Sequence, residues 1–369
     1  MKRLLAIFLI LISITIVLSN ELVEDKSYRI INSDKVVLNK HHEKYILNMN
    51  GNVHFFYGQI EFYCDKGTIV ELNETAKLFK NVVVKKDTLT IKSDYAFYNN
   101  IEEVVQFSGN VVAYDYDLNN KIKREFQADT LIYNRKLEEI IASNNVVALE
   151  YTENMKATTG YMEYHRNDGY GFMKLNPVIE NRKDSLTIRA EKMEYFADFD
   201  KVVAMFNTHT KLTEADIFSN FLIYYSEEGK AVYTGDPRIE TDLGIGQAQT
   251  FNLLFVENNL SHVEFIDECR LDFAFEENKE LNNWLTAEKI DIFFEDKKPV
   301  SMLAETNVIY QIISEEENEN SKDYSKNDSA SRKLEIIFTE DNEIEEIRQF
   351  DNIQGNYVFK SAKRNKKKE

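Results

Sequence analysis

Proline and glycine are scarce, with 3 and 12 in 369 residues. Few obligatory turns therefore punctuate the chain, and a loop-rich scaffold is excluded. Cysteine is almost absent. Cys64 and Cys269 stand alone, so a disulfide framework is excluded, and they fall in distant parts of the pattern described below. Basic charge is short as well: 45 Lys and Arg face 63 Asp and Glu, for a net charge of −18. A basic face for nucleic acid is not to be expected from that balance. No apolar run reaches the roughly 17–25 residues of a membrane span. The longest, Leu4 to Leu18, follows Lys2-Arg3 and precedes "SNELVEDK". That order reads as an export signal over residues 1–20, with a retained N-terminal anchor as the alternative, because "VLS" departs from an Ala-x-Ala cleavage site.

Chemistry-bearing motifs are missing too. The six histidines (His41, His42, His54, His165, His209, His262) show no metal-ligand spacing. "DYDLNN" at Asp115 starts like a calcium loop but has Asn120 where glycine is needed and Phe126 where the bidentate glutamate is needed. There is no phosphate loop, serine elbow or Cys-His arrangement. No catalytic residue, metal or cofactor is expected.

What is present is apolar and aromatic: 43% hydrophobic residues, with 20 Tyr and 24 Phe. They recur with a period of about 30 residues, the signature of a repeat architecture. "SDYAFY" at Ser93 returns as "ADTLIY" at Ala128, "TGYMEY" at Thr159 and "AEKMEY" at Ala190. "SNFLIY" at Ser219, "AQTFNL" at Ala248 and "AEKIDI" at Ala287 follow, and "CDKGTI" at Cys64 is a weaker first copy.

Stacking the copies gives columns. A small residue leads: Cys64, Ser93, Ala128, Thr159, Ala190, Ser219, Ala248, Ala287. Three residues on stand Gly67, Ala96, Leu131, Met162, Met193, Leu222, Phe251 and Ile290. Five residues on stand Ile69, Tyr98, Tyr133, Tyr164, Tyr195, Tyr224, Leu253 and Ile292. The residues between them, such as Phe97, Glu163 and Asp291, vary freely, so each copy is a half-buried strand. Two residues before the small column the chain is again apolar (Phe62, Ile91, Phe126, Ile188), with the opposite parity. Either the strand bends at the small residue or its halves face different layers, and the bend is the preferred reading. A second strand in each unit runs through Leu78, Phe107, Ala142 or Met173 to an Asn pair such as Gly109-Asn110, read as a turn.

Units of this size bury an apolar seam only by stacking. The expected fold is all-β and elongated, built from eight or nine such repeats. The columns admit a parallel β-helix or two facing sheets. They lean to the latter, since Met and Tyr suit a groove as well as a dry core.

The stretch "FSGNVVAYDYDL" through "REFQADTLIYNRKLEEIIASNNVVAL" resembles the OstA/LptA domain of lipopolysaccharide export proteins. Gly109-Asn110-Val111 and Ala128-Asp129 through Tyr133 match that family's unit closely. Beyond Ala157 the match loosens, as Gly160, Glu191, Asn220 and Gln249 replace the Asp. The resemblance implies a β-jellyroll of two facing antiparallel sheets, open along one edge, over residues 21–311. It implies a periplasmic carrier whose interior holds the acyl chains of lipopolysaccharide or a related glycolipid. Inner- and outer-membrane export components with similar domains would be its partners, with end-to-end self-stacking. The lining would be Ala96, Tyr98, Phe107, Leu131, Tyr133, Met162, Tyr164, Met193, Tyr195, Leu222, Tyr224, Phe251, Leu253, Ile290 and Ile292; each of these is otherwise plain core.

The competing readings are an exported β-solenoid that binds or cleaves polysaccharide, a structural surface repeat, and a membrane-anchored adaptor of the LptC kind. Residues 312–332, acidic and poor in apolar groups, read as a disordered insertion. Residues 333–359 read as a degenerate last repeat, and residues 360–369 as a basic tail.

Overall fold

The computed structural model describes residues 28–41, 44–71, 74–183, 185–257, 259–274, 282–317, 321–339 and 344–363. The export signal, or anchor, lies outside the described residues, as does the basic tail beyond residue 363. The chain divides into two compact units, with the boundary at Ala204/Met205, where the sequence reading has one body over 21–311. No helix among the described residues is long and apolar enough to cross a membrane.

In the first unit the strands are β1 (Tyr28–Asn32), β2 (Lys35–His41), β3 (Lys44–Tyr57), β4 (Ile60–Val70) and β5 (Thr75–Lys86). They continue as β6 (Leu89–Asn99), β7 (Val104–Tyr116), β8 (Ile122–Asn134), β9 (Glu139–Glu150) and β10 (Met155–His165). Short strands follow: β11 (Tyr170–Lys174), β12 (Val178–Asn181), β13 (Leu186–Arg189) and β14 (Lys192–Phe196). β15 (Lys201–Lys211) carries the boundary. Successive strands from β3 to β10 pair antiparallel. The parallel β-helix is thereby excluded.

Each long strand is bent in its middle. On β7, Ser108 faces Thr130 of β8 and Val111 faces Ala128, so Gly109 and Asn110 together oppose Asp129. Both have positive φ, +78° and +46°. Lys80-Asn81 and Asn144-Asn145 do the same on β5 and β9. These pairs sit inside strands rather than between them. The turn expected at Gly109-Asn110 is therefore a bulge, and the hairpin turns lie elsewhere. Glycine is favoured at 109 for a plain reason: a Cβ there would come within 2.6 Å of the Asp94 carboxylate.

The bulge switches the inward parity. On β4, Ile60 and Cys64 face inward before it, and Gly67 and Ile69 after it, while Asp65 and Lys66 are exposed between them. Both options of the sequence reading thus hold at once. The strand bends next to the small residue, and its halves enter two facing walls. One wall holds the segments around Phe55, Val84, Ile91, Ala113 and Phe126. The other holds those around Leu78, Ala96, Phe107, Leu131 and Met162. Gly67 breaks its apolar column because Met49, fully buried, fills the space: a Cβ there would lie 2.9 Å from the Met49 methyl.

The second unit repeats the scheme with two walls of its own. Its strands are β16 (Asp216–Tyr225), β17 (Lys230–Thr234), β18 (Arg238–Thr241), β19 (Gly244–Gln247), β20 (Thr250–Val256) and β21 (Asn259–Phe273). They end with β22 (Asn283–Glu295), β23 (Lys298–Glu317), β24 (Ser321–Phe338), β25 (Ile344–Phe350) and β26 (Gln354–Lys363). β16 pairs with β17 through its second half and with β18 through its first, so one strand feeds both walls.

The disordered insertion expected at 312–332 is corrected here. β23 and β24 pair from Ser301↔Ile337 to Glu317↔Lys322. Composition misleads because small hydroxyls occupy the inward positions. Ser329 and Ser331 are buried and donate to backbone oxygens, of Gln354 at 3.2 Å and of Lys333 at 3.0 Å.

Candidate functional site

The interior between the walls of the first unit is the candidate site. Phe55, Tyr57, Ile60, Phe62 and Val84 contribute from one wall, and Ala76, Leu78, Ala96, Tyr98 and Phe107 from the other. Together with Tyr28 they line a cavity of about 60 Å³. Its surface is almost wholly apolar. Strand alternation explains this: every inward position on both halves of each strand is aliphatic, aromatic or small.

The walls are joined along the bends. At the opposite margin they meet through side chains, with the rings of Tyr57 and Tyr98 6.3 Å apart between centroids. Tyr28 stacks obliquely on Tyr57 at 4.6 Å. Burial, and then the neighbouring Tyr57 hydroxyl, push the Tyr98 phenol well up, so it stays a neutral donor. It donates to Asn100 Oδ1 at 2.6 Å.

Just outside this Tyr row the hairpin tips carry charge. Arg135 donates its backbone N–H to Glu103 O at 2.8 Å and its Nε to the Glu103 carboxylate at 3.1 Å. Arg166 pairs likewise with Glu138, its backbone N–H donating to Glu138 O at 2.9 Å and its Nη1 to the carboxylate at 3.2 Å. The Arg135 hydrogen bond holds the Glu103 carboxyl below its ordinary range. The margin is thus amphipathic: apolar inside, phenolic at the lip, ionic beyond it.

Of the residues the sequence reading names as lining, Ala96, Tyr98 and Phe107 line this cavity. Leu131, Tyr133, Met162, Tyr164, Met193 and Tyr195 face the same interior further along but are closely packed, with Leu131, Met162 and Met193 at 0% exposure. In the second unit Leu222, Tyr224, Phe251, Leu253 and Ile290 are buried inward, whereas Ile292 is half-exposed. All the named first-unit residues lie on one wall. The facing wall, including Phe55, Tyr57 and Val84, was missed as lining. Its signal was present in the opposite-parity column of Phe62, Ile91 and Phe126.

Four histidines scattered in sequence each meet a carboxylate on an outer face: His54–Glu61, His165–Glu163, His209–Asp216 and His262–Asp291, at 2.9, 2.7, 2.6 and 2.9 Å. Two of these places, Glu139/Glu163/His165 and His262/Glu264/Asp291, bring three potential ligands together. In the second, Lys289 Nζ already lies 2.9 Å from Asp291 and 3.6 Å from Glu264. The two thiols are buried, with burial pushing Cys64 up to about 11 and Cys269 to about 12.

An antiparallel, two-walled, apolar-filled β fold whose long strands bend in the middle, with a bulge on alternate strands, defines the class. Within it, residues 25–122 match the family model described as OstA-like protein, which bears out the resemblance over that segment. The segment contains every residue that lines the cavity. No curated protein matches the chain. Among solved structures, the chain is similar to the crystal structure of LptH, the LptA homologous periplasmic component of the conserved lipopolysaccharide transport device from Pseudomonas aeruginosa. The two are 10% identical, with 37% of this chain and 76% of that chain covered and a TM-score of 0.16.

Proposed function

We propose that the protein is a periplasmic carrier of lipopolysaccharide or a related glycolipid, and one segment of an inner-to-outer membrane bridge. The observation that carries this reading is the coincidence of the OstA-like segment with the cavity between the walls. Acyl chains would lie between the walls, and the sugar would stay outside the Tyr57–Tyr98 lip. Apolar burial at about 25 cal/mol per Å² favours the chains at every point of a continuous interior. The cavity of about 60 Å³ is smaller than one acyl chain, so the walls part to admit it. Met155, Met162, Met173 and Met193, all buried, are suited to repacking around a variable chain. No bond is made or broken, so no catalytic group is needed, and direction comes from an energy source elsewhere.

Partners of similar fold would dock edge to edge. Among the described residues, β1 and β2 pair with β3 alone, and Ile31 and Leu38 on them are 51% and 62% exposed. In the second unit β26 pairs with β24, with Tyr357 and Phe359 exposed. Unpaired edges of this kind accept another strand.

A clamp across the lip tests the interior route. Tyr57→Cys and Tyr98→Cys are introduced with Cys64→Ala and Cys269→Ala and joined by a short bis-maleimide. Joined protein is expected to bind lipopolysaccharide at least about tenfold more weakly than the same protein unjoined. Equal binding by both forms would rule the interior out.

A further inference from the structure

The second unit holds a site on its outer face, away from the interior. Strand register places Trp284, Gln311, Asp328 and Asn356 in one row across β22, β23, β24 and β26. Their inward neighbours Leu285, Tyr310 and Ser329 are buried, so the row points outward. Trp284, Asp328 and Asn356, with Ile309 and Gln354 of the adjacent row, line an open depression of about 390 Å³.

Trp284 is the single tryptophan of the chain, and it is held in place. Arg270 lies 5.6 Å over its ring and is itself fixed by two hydrogen bonds to Asp272, at 2.8 and 2.6 Å. Gln311 is fixed by its amide, which donates to Asn282 O at 3.0 Å. The site thus has one rigid aromatic surface followed by amide and carboxylate groups at strand spacing, over three intervals of about 4.8 Å.

We propose that this row binds the saccharide part of a glycan. A pyranose presents an apolar C–H face, which suits the indole, and a rim of hydroxyls that both donate and accept. Asp328 accepts, while Gln354 and Asn356 do both. Asp328 is paired with Lys326 Nζ at 2.9 Å and Asp272 with Arg270, so the row carries no net charge and suits neutral sugars. A row across four strands suits a short oligosaccharide better than a single ring. An apolar partner is disfavoured because polar side chains line most of the row.

Because Trp284 is the sole tryptophan, its emission reports on this site without ambiguity. The full chain is titrated with neutral oligosaccharides, N-acetylated oligosaccharides and phosphorylated sugars as separate arms. A saturable change in emission at millimolar concentration or below is expected with the first two. Asn356→Ala and Asp328→Asn should each raise the half-saturation point about tenfold with folding unchanged by circular dichroism. No saturable change in any arm overturns the proposal. So does an equal response from the wild type and both variants, or a preference for phosphorylated sugars. Calorimetry on Trp284→Ala gives a reading that does not depend on the fluorophore, and retained binding there also overturns it. None of these outcomes bears on the interior of the first unit, so this proposal and lipid carriage fail separately.

Discussion

Asn110 donates its side-chain amide to Asp94 Oδ2 at 2.8 Å, from the bulge of one strand to the bend of the strand before it. The same bond joins Asn81 to Asp65, at 3.1 and 3.2 Å, and Asn145 to Asp129, at 3.0 Å. In the second unit Asn307 keeps it, donating to Glu288 at 3.2 Å, but at one site its polarity is reversed. Gln249 stands in the Asp column and donates to Glu268, which stands at the bulge, at 2.8 Å. The bond is kept while the two chemistries change places. The loosening of the sequence motif after Ala157 therefore does not mean that the bend is lost.

That reversal gives a double-mutant cycle. Gln249→Asp alone sets two carboxylates against each other and is expected to destabilise by about 1 kcal/mol. Adding Glu268→Asn restores the first unit's pair and should recover most of the loss. Urea denaturation of the four proteins measures the coupling. Simple additivity would mean that the bond contributes nothing.

Backbone strain at the bulges is open to test at two positions. Lys80 is exposed with φ +60°, where an L side chain costs about 1 kcal/mol, so Lys80→Gly is expected to stabilise by about that amount. Gly109→Ala meets both φ +78° and the Asp94 carboxylate at 2.6 Å and should destabilise by at least about 1–2 kcal/mol. Thermal unfolding of the two variants reads both signs.

The fold class was legible because inward residues recur at fixed spacing: Leu131, Met162 and Met193 fall in one column, and all are fully buried. The bulge at Gly109-Asn110 was legible as punctuation but not as a bulge. A pair of positive-φ residues ends a strand as readily as it bends one, and only the register with β8 decides between them. The facing wall was visible as the parity change at Phe62 and Phe126 but was not carried into the site. Ser329 was illegible, since a buried serine in a polar run looks like a solvated one until its partner, Gln354 O, is known. The Trp284 row could not be found at all, because Trp284, Asp328 and Asn356 are brought together only by strand pairing.

The thiols give a pH dependence. Burial raises Cys64 from 9.0 to about 11 and Cys269 from 9.0 to about 12, so the folded state holds these protons more tightly than the unfolded chain does. Their stabilisation is complete below about pH 9 and is lost as pH rises through about 11 and then about 12. The urea midpoint should therefore fall across that window, and less so in Cys64→Ala with Cys269→Ala. At about pH 8, native protein should leave a thiol reagent unconsumed, whereas denatured protein should consume two equivalents.

Photo-crosslinking in cells tests lipid carriage most directly. Crosslinkers placed singly at Ala96 and Phe107, which line the cavity, and at Leu131 and Met162 further along the same wall, are compared with the outward positions Lys92 and Glu163. Carriage through the interior predicts adducts with lipopolysaccharide from several inward positions and none from the outward pair. Adducts from Lys92 and Glu163 alone, or from no position, would contradict it.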